Sequence, residues 1–363
     1  MAVVKSNAYG HGAVECARRL AREGAEWFGV ATPEEGIELR QSGITQPILC
    51  LGGFWEGQEK ACLQFRLTPV VYRLDLVEAL DDAARLPGVV ADVHVKLDTG
   101  MGRLGVRFDQ AIEFAQALKR FRNIRVDGLM THLAAADEPT CEPLTANQLK
   151  RFRNVVDVFR GNGFEPTYRH LANSAAIFDQ PGAWGNMVRP GGVLYGLWRD
   201  VLAPAHNAGS GANRYRTESV SNHAELLLKP VMSLRSRIAL LKWVPAGETI
   251  GYGCTYETSR PTLVATLPIG YNDGYLRGLS NRGRVIARGT YASVIGRISM
   301  DLTLVDVTNV PGVSLNDVVT LLGTTPDNPD LLVSAEDIAR TVGTLSYEVT
   351  CGISDRVPRV SSA

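Results

Sequence analysis

Lys5 ends a short apolar run, Ala2-Val3-Val4, and the chain then turns through Ser6-Asn7-Ala8-Tyr9-Gly10-His11-Gly12 into an amphipathic stretch. A lysine at the carboxyl end of a strand, followed by a tight turn and a helix, stands where βα folds carry their chemistry. Partly desolvated there, its amine can lose its proton and add to a carbonyl to form a Schiff base. The same lysine taken alone also reads as a solvated strand-end charge. A second signal is Gly100-Met-Gly102-Arg-Leu-Gly105, which satisfies G-x-G-x-x-G between a strand and a helix. Dinucleotide binding needs an acidic residue at the end of the next strand, and the nearest, Asp127, falls near the start of its strand, so nucleotide binding is set aside. The six cysteines, Cys16, Cys50, Cys62, Cys141, Cys254 and Cys351, lie far apart with no Cys-x-x-Cys pair. Neither a zinc site nor a disulfide framework is indicated; buried free thiols and no metal are expected.

The scaffold for these residues is legible in the alternation of short apolar runs with amphipathic stretches from residue 2 to about 196. Eight strands are predicted: Ala2-Lys5, Phe28-Thr32, Pro47-Gly52, Thr68-Tyr72, Val93-Asp98, Val126-His132, Arg169-Asn173 and Met187-Tyr195. Between them, patterns such as Ala13, Val14, Ala17, Leu20, Ala21 and Ile112, Phe114, Ala115, Leu118 place apolar side chains on one helical face. Eight βα units fit a closed (β/α)8 barrel, with a doubly wound open sheet as the alternative that counting leaves open. After Trp198 the pattern stops, and the Gly/Ala/Asn/Ser-rich stretch from Ala205 to Ala212, then Thr217 to Asn222, reads as a long flexible loop at a domain boundary. From about Val231 short runs separated by turn residues (Ile238-Leu241, Thr262-Leu267, Arg284-Ala287, Leu302-Val307, Val318-Leu322) predict an antiparallel β domain, with one helix around Ala335 to Val342. The expected domains are 1–228 and 229–363.

With 363 residues, 45% of them hydrophobic, the chain is long enough for a large and a smaller domain. Thirty-eight basic against 38 acidic residues leave no charge surplus to attract nucleic acid or an anionic membrane, and a small neutral or zwitterionic ligand fits better. No apolar run approaches the ~20 residues of a membrane span and no signal segment is evident, so the cytoplasm is the expected location.

Further along stand Lys96-Leu-Asp-Thr-Gly-Met-Gly-Arg103-Leu-Gly, Thr131-His132, His170-Leu-Ala-Asn173-Ser174, Arg189-Pro-Gly191-Gly192, Gly251-Tyr252-Gly253, Gly270-Tyr271-Asn-Asp-Gly274, Gly296-Arg-Ile-Ser-Met300-Asp301 and Tyr347-Glu348. With the Lys5 segment, these collinear motifs closely resemble those of alanine racemases across nearly the whole chain. The resemblance implies a pyridoxal 5'-phosphate enzyme, a homodimer with shared active sites, that interconverts L-alanine and D-alanine and supplies D-alanine for peptidoglycan. It implies that Lys5 carries the cofactor, and that Tyr9, Ser174, Tyr347 and the amides of Gly191 and Gly192 hold its phosphate, beside Asn173. Arg189 is then the donor to the ring nitrogen, which it keeps unprotonated, so that any carbanion is short-lived. Lys5 serves the D-face and Tyr252, from the second subunit, the L-face. A phenol of reference pKa about 10 needs a neighbouring network to act as a base, and His132, beside the ring, with His170 close by, is implied as part of it. Arg103, Met300 and Asp301 are implied as the carboxylate site, Lys96 as a carbamylated lysine that orients Arg103, and Tyr271 with Tyr347 as the narrow entrance that selects a methyl side chain.

The match departs from the family at its start: relatives place a strand and a helix before the cofactor lysine. The expectation is that the start lies upstream of Met1 or that this is a shortened, less stable version with an unpaired edge in the β domain. The 198–229 stretch is also longer than expected. Within enzymes, a broader-specificity racemase or a decarboxylase of the same plan, which uses a cysteine such as Cys254 or Cys351, are the rivals, and the two-tyrosine pattern favours the racemase. From another class, a non-catalytic cofactor carrier would have the barrel alone and no Tyr252.

Overall fold

Runs of Val, Ile and Leu in the first half become strands buried on both faces, as a parallel sheet covered by helices requires. The computed structural model describes residues 1–197, 213–215, 226–325, 328 and 330–361. Among them two compact units separate: Met1–Ala8 with Gly12–Leu194, and Tyr9–His11 with the described residues from Tyr195 onward.

The first unit is a parallel sheet of β1 (Ala2–Val3), β2 (Phe28–Val30), β3 (Ile48–Cys50), β4 (Thr68–Val71), β5 (Ala91–Asp98), β6 (Val106–Arg107), β7 (Ile124–Met130) and β8 (Tyr168–His170). The order is β1-β2-β3-β4-β5-β7-β8, with β6 a short branch on β5. Helices Ala13–Arg22, Pro33–Gln41, Glu59–Gln64, Leu74–Arg85, Ala111–Leu118 and Glu142–Gly161 fill the connections. The ring is closed by residues 186–190: Met1 N donates to Val188 O and Val3 N to Pro190 O, both at 3.0 Å, while Arg189 N donates to Ala172 O at 3.1 Å. The fold is therefore the (β/α) barrel, not the open sheet. The strand predicted over Met187-Tyr195 does not form: the segment that closes the ring is irregular, and Gly192–Tyr195 coils into a 3-10 turn. Inside, Trp27, Leu49, Val70, Met130 and Met187 form a buried cluster.

In the second unit, β9 (Asn213–Tyr215) pairs with β10 (Leu226–Leu228); the long loop expected over Ala205 to Ala212 and Thr217 to Asn222 lies outside the described residues. The main sheet contains β11 (Leu234–Arg237), β12 (Leu240–Val244), β15 (Thr262–Leu267), β16 (Arg284–Ala287), β17 (Thr290–Val294), β18 (Thr303–Asp306) and β19 (Val318–Thr324), with β20 (Leu332–Val333) on β19. Its order is β11-β19-β16-β17-β18-β15-β12, all antiparallel. The run Ile238-Leu241 predicted as one strand straddles a break: Ile238 N donates to Asp317 O and Ala239 N to Thr266 O, so the chain changes partner there and links the two ends of the sheet. Among the described residues each end strand of this path, β11 and β12, has one paired neighbour. The helix Ala335–Val342 forms as predicted, capped by Ser334 accepting from Asp337 N and ended by Gly343 in the left-handed region. A small hairpin, β13 (Thr249–Ile250) and β14 (Tyr256–Glu257), carries Tyr252 in its loop.

The six cysteines are free, but only Cys50 and Cys62 are buried, and Cys254 and Cys351 are exposed because they lie in a loop and at a helix end. Among the described residues no His/Cys/Asp/Glu group could hold a metal, and no helix is long and apolar enough to cross a membrane.

Candidate active site

Lys5 follows Val4, whose amide is held by Gly29 O, and from it the backbone enters an unusual turn. Ser6, Asn7, Ala8 and Tyr9 all have φ between 52 and 54°, four successive left-handed residues with no glycine. Each costs about 1–2 kcal/mol, so the surroundings must impose the turn. They do so through Glu35, whose Oε1 accepts from Ser6 N at 2.7 Å and Oε2 from Ala31 N at 2.6 Å, and through Asn7 Oδ1, which accepts from Ala13 N at 2.7 Å. Sequence reasoning missed Glu35; its signal is an acid in the first turn of the next helix, Pro33–Gln41.

At the same end of the barrel β5 delivers Lys96, 7% exposed, with no ion pair among the described residues. Burial first, then the charges of Arg103, Arg189 and Lys5, push its ammonium down to about 8. Arg103 lies in the loop after β5 and is exposed. The glycine motif is a folded-back loop and no phosphate cradle: Asp98 Oδ1 accepts the amides of Gly100 and Gly102, both at 3.0 Å. A Cβ on Gly105 would sit 2.6 Å from Asp98 N, so only glycine permits the return. Gln148, fully buried on the helix Glu142–Gly161, ties this loop to the next strand end by donating to Thr99 Oγ1 and His132 O while accepting from Ala134 N.

Arg189, which in isolation reads as a surface ion-pair former, is buried, 4% exposed. Its Nη1 donates to His170 Nδ1 at 3.0 Å, and its Nη2 to Thr131 O at 2.8 Å, Leu171 O at 2.9 Å and His132 Nδ1 at 3.3 Å. Nε is left without an acceptor among the described residues. Burial lowers the guanidinium to about 10, still charged at neutral pH. Burial and then the Arg189 charge hold His132 and His170 well below the usual imidazole range, so both are neutral. Ser174 Oγ accepts from Gly191 N at 3.0 Å, Asn173 Oδ1 caps the helix Ser174–Asp179 by accepting from Ala176 N at 3.0 Å, and Gly192 opens the 3-10 turn, where first-turn amides have no partner within the turn.

The second unit groups the remaining residues. Tyr9 and Tyr347 meet edge to face at 5.5 Å, and burial first pushes the Tyr9 phenol up. A Cβ on Gly10 would overlap Thr350 O at 2.0 Å, so glycine lets the segment after Tyr9 run against the helix Ser346–Cys351. Gly270 lies as tightly against Ser299 and Met300, and Tyr271 N donates to Ser299 O at 3.0 Å. That contact sets Tyr271 beside Met300. Arg356 bridges Asp273 and Asp301, at 3.3 and 2.9 Å, and so orients Asp301. Tyr252 projects from its hairpin 72% exposed, and Tyr271 and Met300 are also exposed, at 43% and 52%.

The family model for the alanine racemase N-terminal domain matches residues 1–198, and that for its C-terminal domain residues 231–361. The chain belongs to the alanine racemase family. It is 44% identical over 362 residues to the alanine racemase of Geobacter sulfurreducens, covering 99% of this chain and 89% of that one. It is 41% identical to that of Halothermothrix orenii, with the same shares covered. Among solved structures, the Clostridium difficile 630 alanine racemase superposes with a TM-score of 0.86 at 36% identity, covering 98% of this chain and 87% of the other. That of Bacillus anthracis with bound L-Ala-P gives 0.83 at 32%, covering 98% and 86%. This family member is accordingly an isomerase that uses pyridoxal 5'-phosphate.

The residues present fit that cofactor, which carries an aldehyde, a ring nitrogen and a phosphate. The first unit supplies a strand-end amine in Lys5, a buried cation with a spare donor in Arg189, and a hydroxyl beside backbone amides at Ser174, Gly191 and Gly192. If the Glu35 clamp sets the Lys5 turn, Glu35→Ala loses two charge-assisted bonds. It should then unfold about 2–3 kcal/mol more easily in urea and retain less cofactor on dialysis. Unchanged cofactor retention would show that the turn holds without it.

Proposed function

We propose that this protein racemises alanine with two bases on opposite faces of the substrate, Lys5 toward the D-isomer and Tyr252 toward the L-isomer, and that Tyr252 reaches the site of a second subunit. The observation that carries the reading is the contrast between a buried donor network around Arg189 at one end of the barrel and a Tyr252 that is 72% exposed on its own chain. When bound, pyridoxal phosphate withdraws electron density from the substrate's Cα and makes its proton acidic.

Lys5 would hold the cofactor covalently and take or return a proton with its Nζ. Ser174, Tyr9, Tyr347 and the amides of Gly191 and Gly192 would hold the phosphate, with Asn173 fixing the helix start beside it. Arg189 would donate to the ring nitrogen; a guanidinium keeps its own protons, so that nitrogen stays unprotonated and charge delocalisation is limited. His132, neutral and bonded to Arg189, would sit beside the ring and link it to Tyr252. Arg103, Met300 and Asp301 would bind the carboxylate, and Tyr271 with Tyr347 would narrow the entrance to a methyl group. The barrel domain is taken as 1–228 and the β domain as 229–363, in a cytoplasmic homodimer that makes D-alanine for peptidoglycan.

Lys96 lies among the charges of Arg103, Arg189 and Lys5 without a counter-ion among the described residues, and an ammonium pushed down to about 8 has a neutral fraction able to add carbon dioxide. The resulting carbamate would pair with Arg103 and orient it. Carbon-13-labelled bicarbonate should give a carbamate resonance that disappears in Lys96→Ala, and that variant's raised KM for alanine should fall when acetate is added. A spectrum without the resonance leaves Lys96 a plain lysine.

The activity is tested by conversion of L-alanine to D-alanine with added pyridoxal phosphate, beside L-serine and L-lysine. Rapid conversion of alanine alone supports the methyl-sized pocket. Comparable turnover of lysine would replace it with a broad-specificity racemase, and no turnover of any of the three would sink the reading.

A further inference from the structure

The barrel encloses a further histidine, His94, which is fully buried on β5 two residues before Lys96 and so on the same face of the strand. Its ring is aimed inward by two features of the backbone. The β5–β7 pairing slips between Val93 and His94, skipping Asp127, an irregularity that re-aims side chains. Opposite His94 stands Gly128, where a Cβ would lie 2.6 Å from the imidazole ring. Trp27 at 5.4 Å and Tyr168 at 5.8 Å complete the enclosure.

His94 Nδ1 lies 2.9 Å from His170 Nε2, and His170 Nδ1 lies 3.0 Å from Arg189 Nη1. The direction of these bonds follows from the arginine. A guanidinium can only donate, so His170 Nδ1 must be the bare, accepting nitrogen. Burial and then the Arg189 charge keep His170 neutral and push His94 down to about 3, so each ring carries one proton. The proton of His170 is then on Nε2 and is donated to His94 Nδ1. That leaves the proton of His94 on its own Nε2, which is buried and has no partner among the described residues. An orphaned buried donor costs about 1–3 kcal/mol, and an apolar ring in the same place would avoid that cost.

We propose that His94 is a positioning residue: by accepting from His170 Nε2 it fixes the one tautomer of His170 that offers Arg189 an acceptor, and so holds the guanidinium oriented toward the cofactor's ring nitrogen. This rests on the role given to Arg189 above. Without His94 the Nε2 proton of His170 loses its acceptor and only Arg189 still favours a bare Nδ1, so the form protonated on Nδ1 gains population, and wherever it forms the guanidinium loses one of the bonds that aim it.

The test compares His94→Phe, which keeps a ring without nitrogen, with His94→Asn, whose side-chain oxygen can stand near the position of Nδ1. Nitrogen-15 NMR of the imidazoles, with His170 assigned by its loss in His170→Gln, reads the tautomer in protein without cofactor. The expected result is His170 protonated on Nε2 in the parent and in His94→Asn, and a shift toward Nδ1 protonation in His94→Phe. With cofactor bound, His94→Phe should lose about tenfold in kcat with KM for alanine little changed and show a displaced cofactor absorbance, while His94→Asn recovers most of both. The proposal is overturned if the tautomer of His170 is the same in all three proteins, or if the Phe and Asn variants fall together in step with lost thermal stability. If the parent fails to racemise alanine while the tautomers behave as expected, the racemase reading has failed and the relay has not.

Discussion

Lys5→Ala and Tyr252→Phe subunits, each inactive alone, are expected to regain activity when unfolded together and refolded as a mixture. In the proposed mechanism Lys5→Ala removes both the covalent anchor and one base, and Tyr252→Phe removes the other base, so each is expected to lose on the order of 10³-fold or more in kcat. If the site is shared, a heterodimer has one site with both residues mutated and one with neither. Random pairing makes half of the dimers mixed, and the mixture should therefore reach about a quarter of parental activity. Exposure of Tyr252, Tyr271 and Met300 on one chain is what a contribution to a partner requires. No recovery, with exchange verified by differently tagged subunits, would count against the shared site.

Arg189→Met should be the most damaging single change inside the barrel. It retains bulk but strips donors from His170 Nδ1, Thr131 O and Leu171 O, all buried, and each abandoned acceptor costs about 1–3 kcal/mol. Relief from burying a charge offsets part of this, so a net loss of about 3 kcal/mol in urea unfolding is expected. Turnover should fall further than the stability loss explains, with an altered cofactor absorbance and side products in which the substrate amine is transferred. A variant as stable as the parent and still racemising cleanly would remove Arg189 from both roles. The effect of pH separates it from the histidines: because His170 and His94 have lowered pKa values in the folded protein, acid favours the unfolded chain, which takes up protons below about 6.5. Stability should thus be fully present above that range and decline as pH falls, with less decline in a His94→Phe, His170→Phe double variant.

Much of this was legible in residue order. Apolar runs in alternation with amphipathic stretches predicted seven strands of the barrel to within a few residues but not the short β6, and the Pro/Gly/Asn/Asp turns predicted the antiparallel sheet. Burial of one face forces such periodicities wherever the chain folds. Lys5 and Arg189 stood out by motif because the chemistry proposed for them needs those residue types. The eighth predicted strand, Met187-Tyr195, is apolar enough to read as one, but the structure closes the ring with irregular backbone at 186–190 and coils Gly192–Tyr195 into a 3-10 turn. Ile238 read as the middle of a strand for a related reason: it is fully buried, yet it is where the chain exchanges one neighbour for another.

The sequence by itself determined a βα half followed by a β domain, the family resemblance and the residue types able to serve a pyridoxal cofactor, since these depend on local periodicity, motifs and which side chains can do which chemistry, while the closing bonds of residues 186–190 decided the barrel over the open sheet. Tertiary structure decided what those side chains are bonded to. Glu35 is an ordinary first-turn acid until it holds the amides of Ser6 and Ala31, and Gln148 an ordinary helix polar residue until it joins two loops. Arg189, His170 and His94 are scattered along the chain, and the direction of their hydrogen bonds exists only once β5, β8 and the closing segment are side by side. A hydrogen bond is a matter of a few tenths of an ångström between residues far apart in sequence, and periodicity along the chain carries no record of that distance.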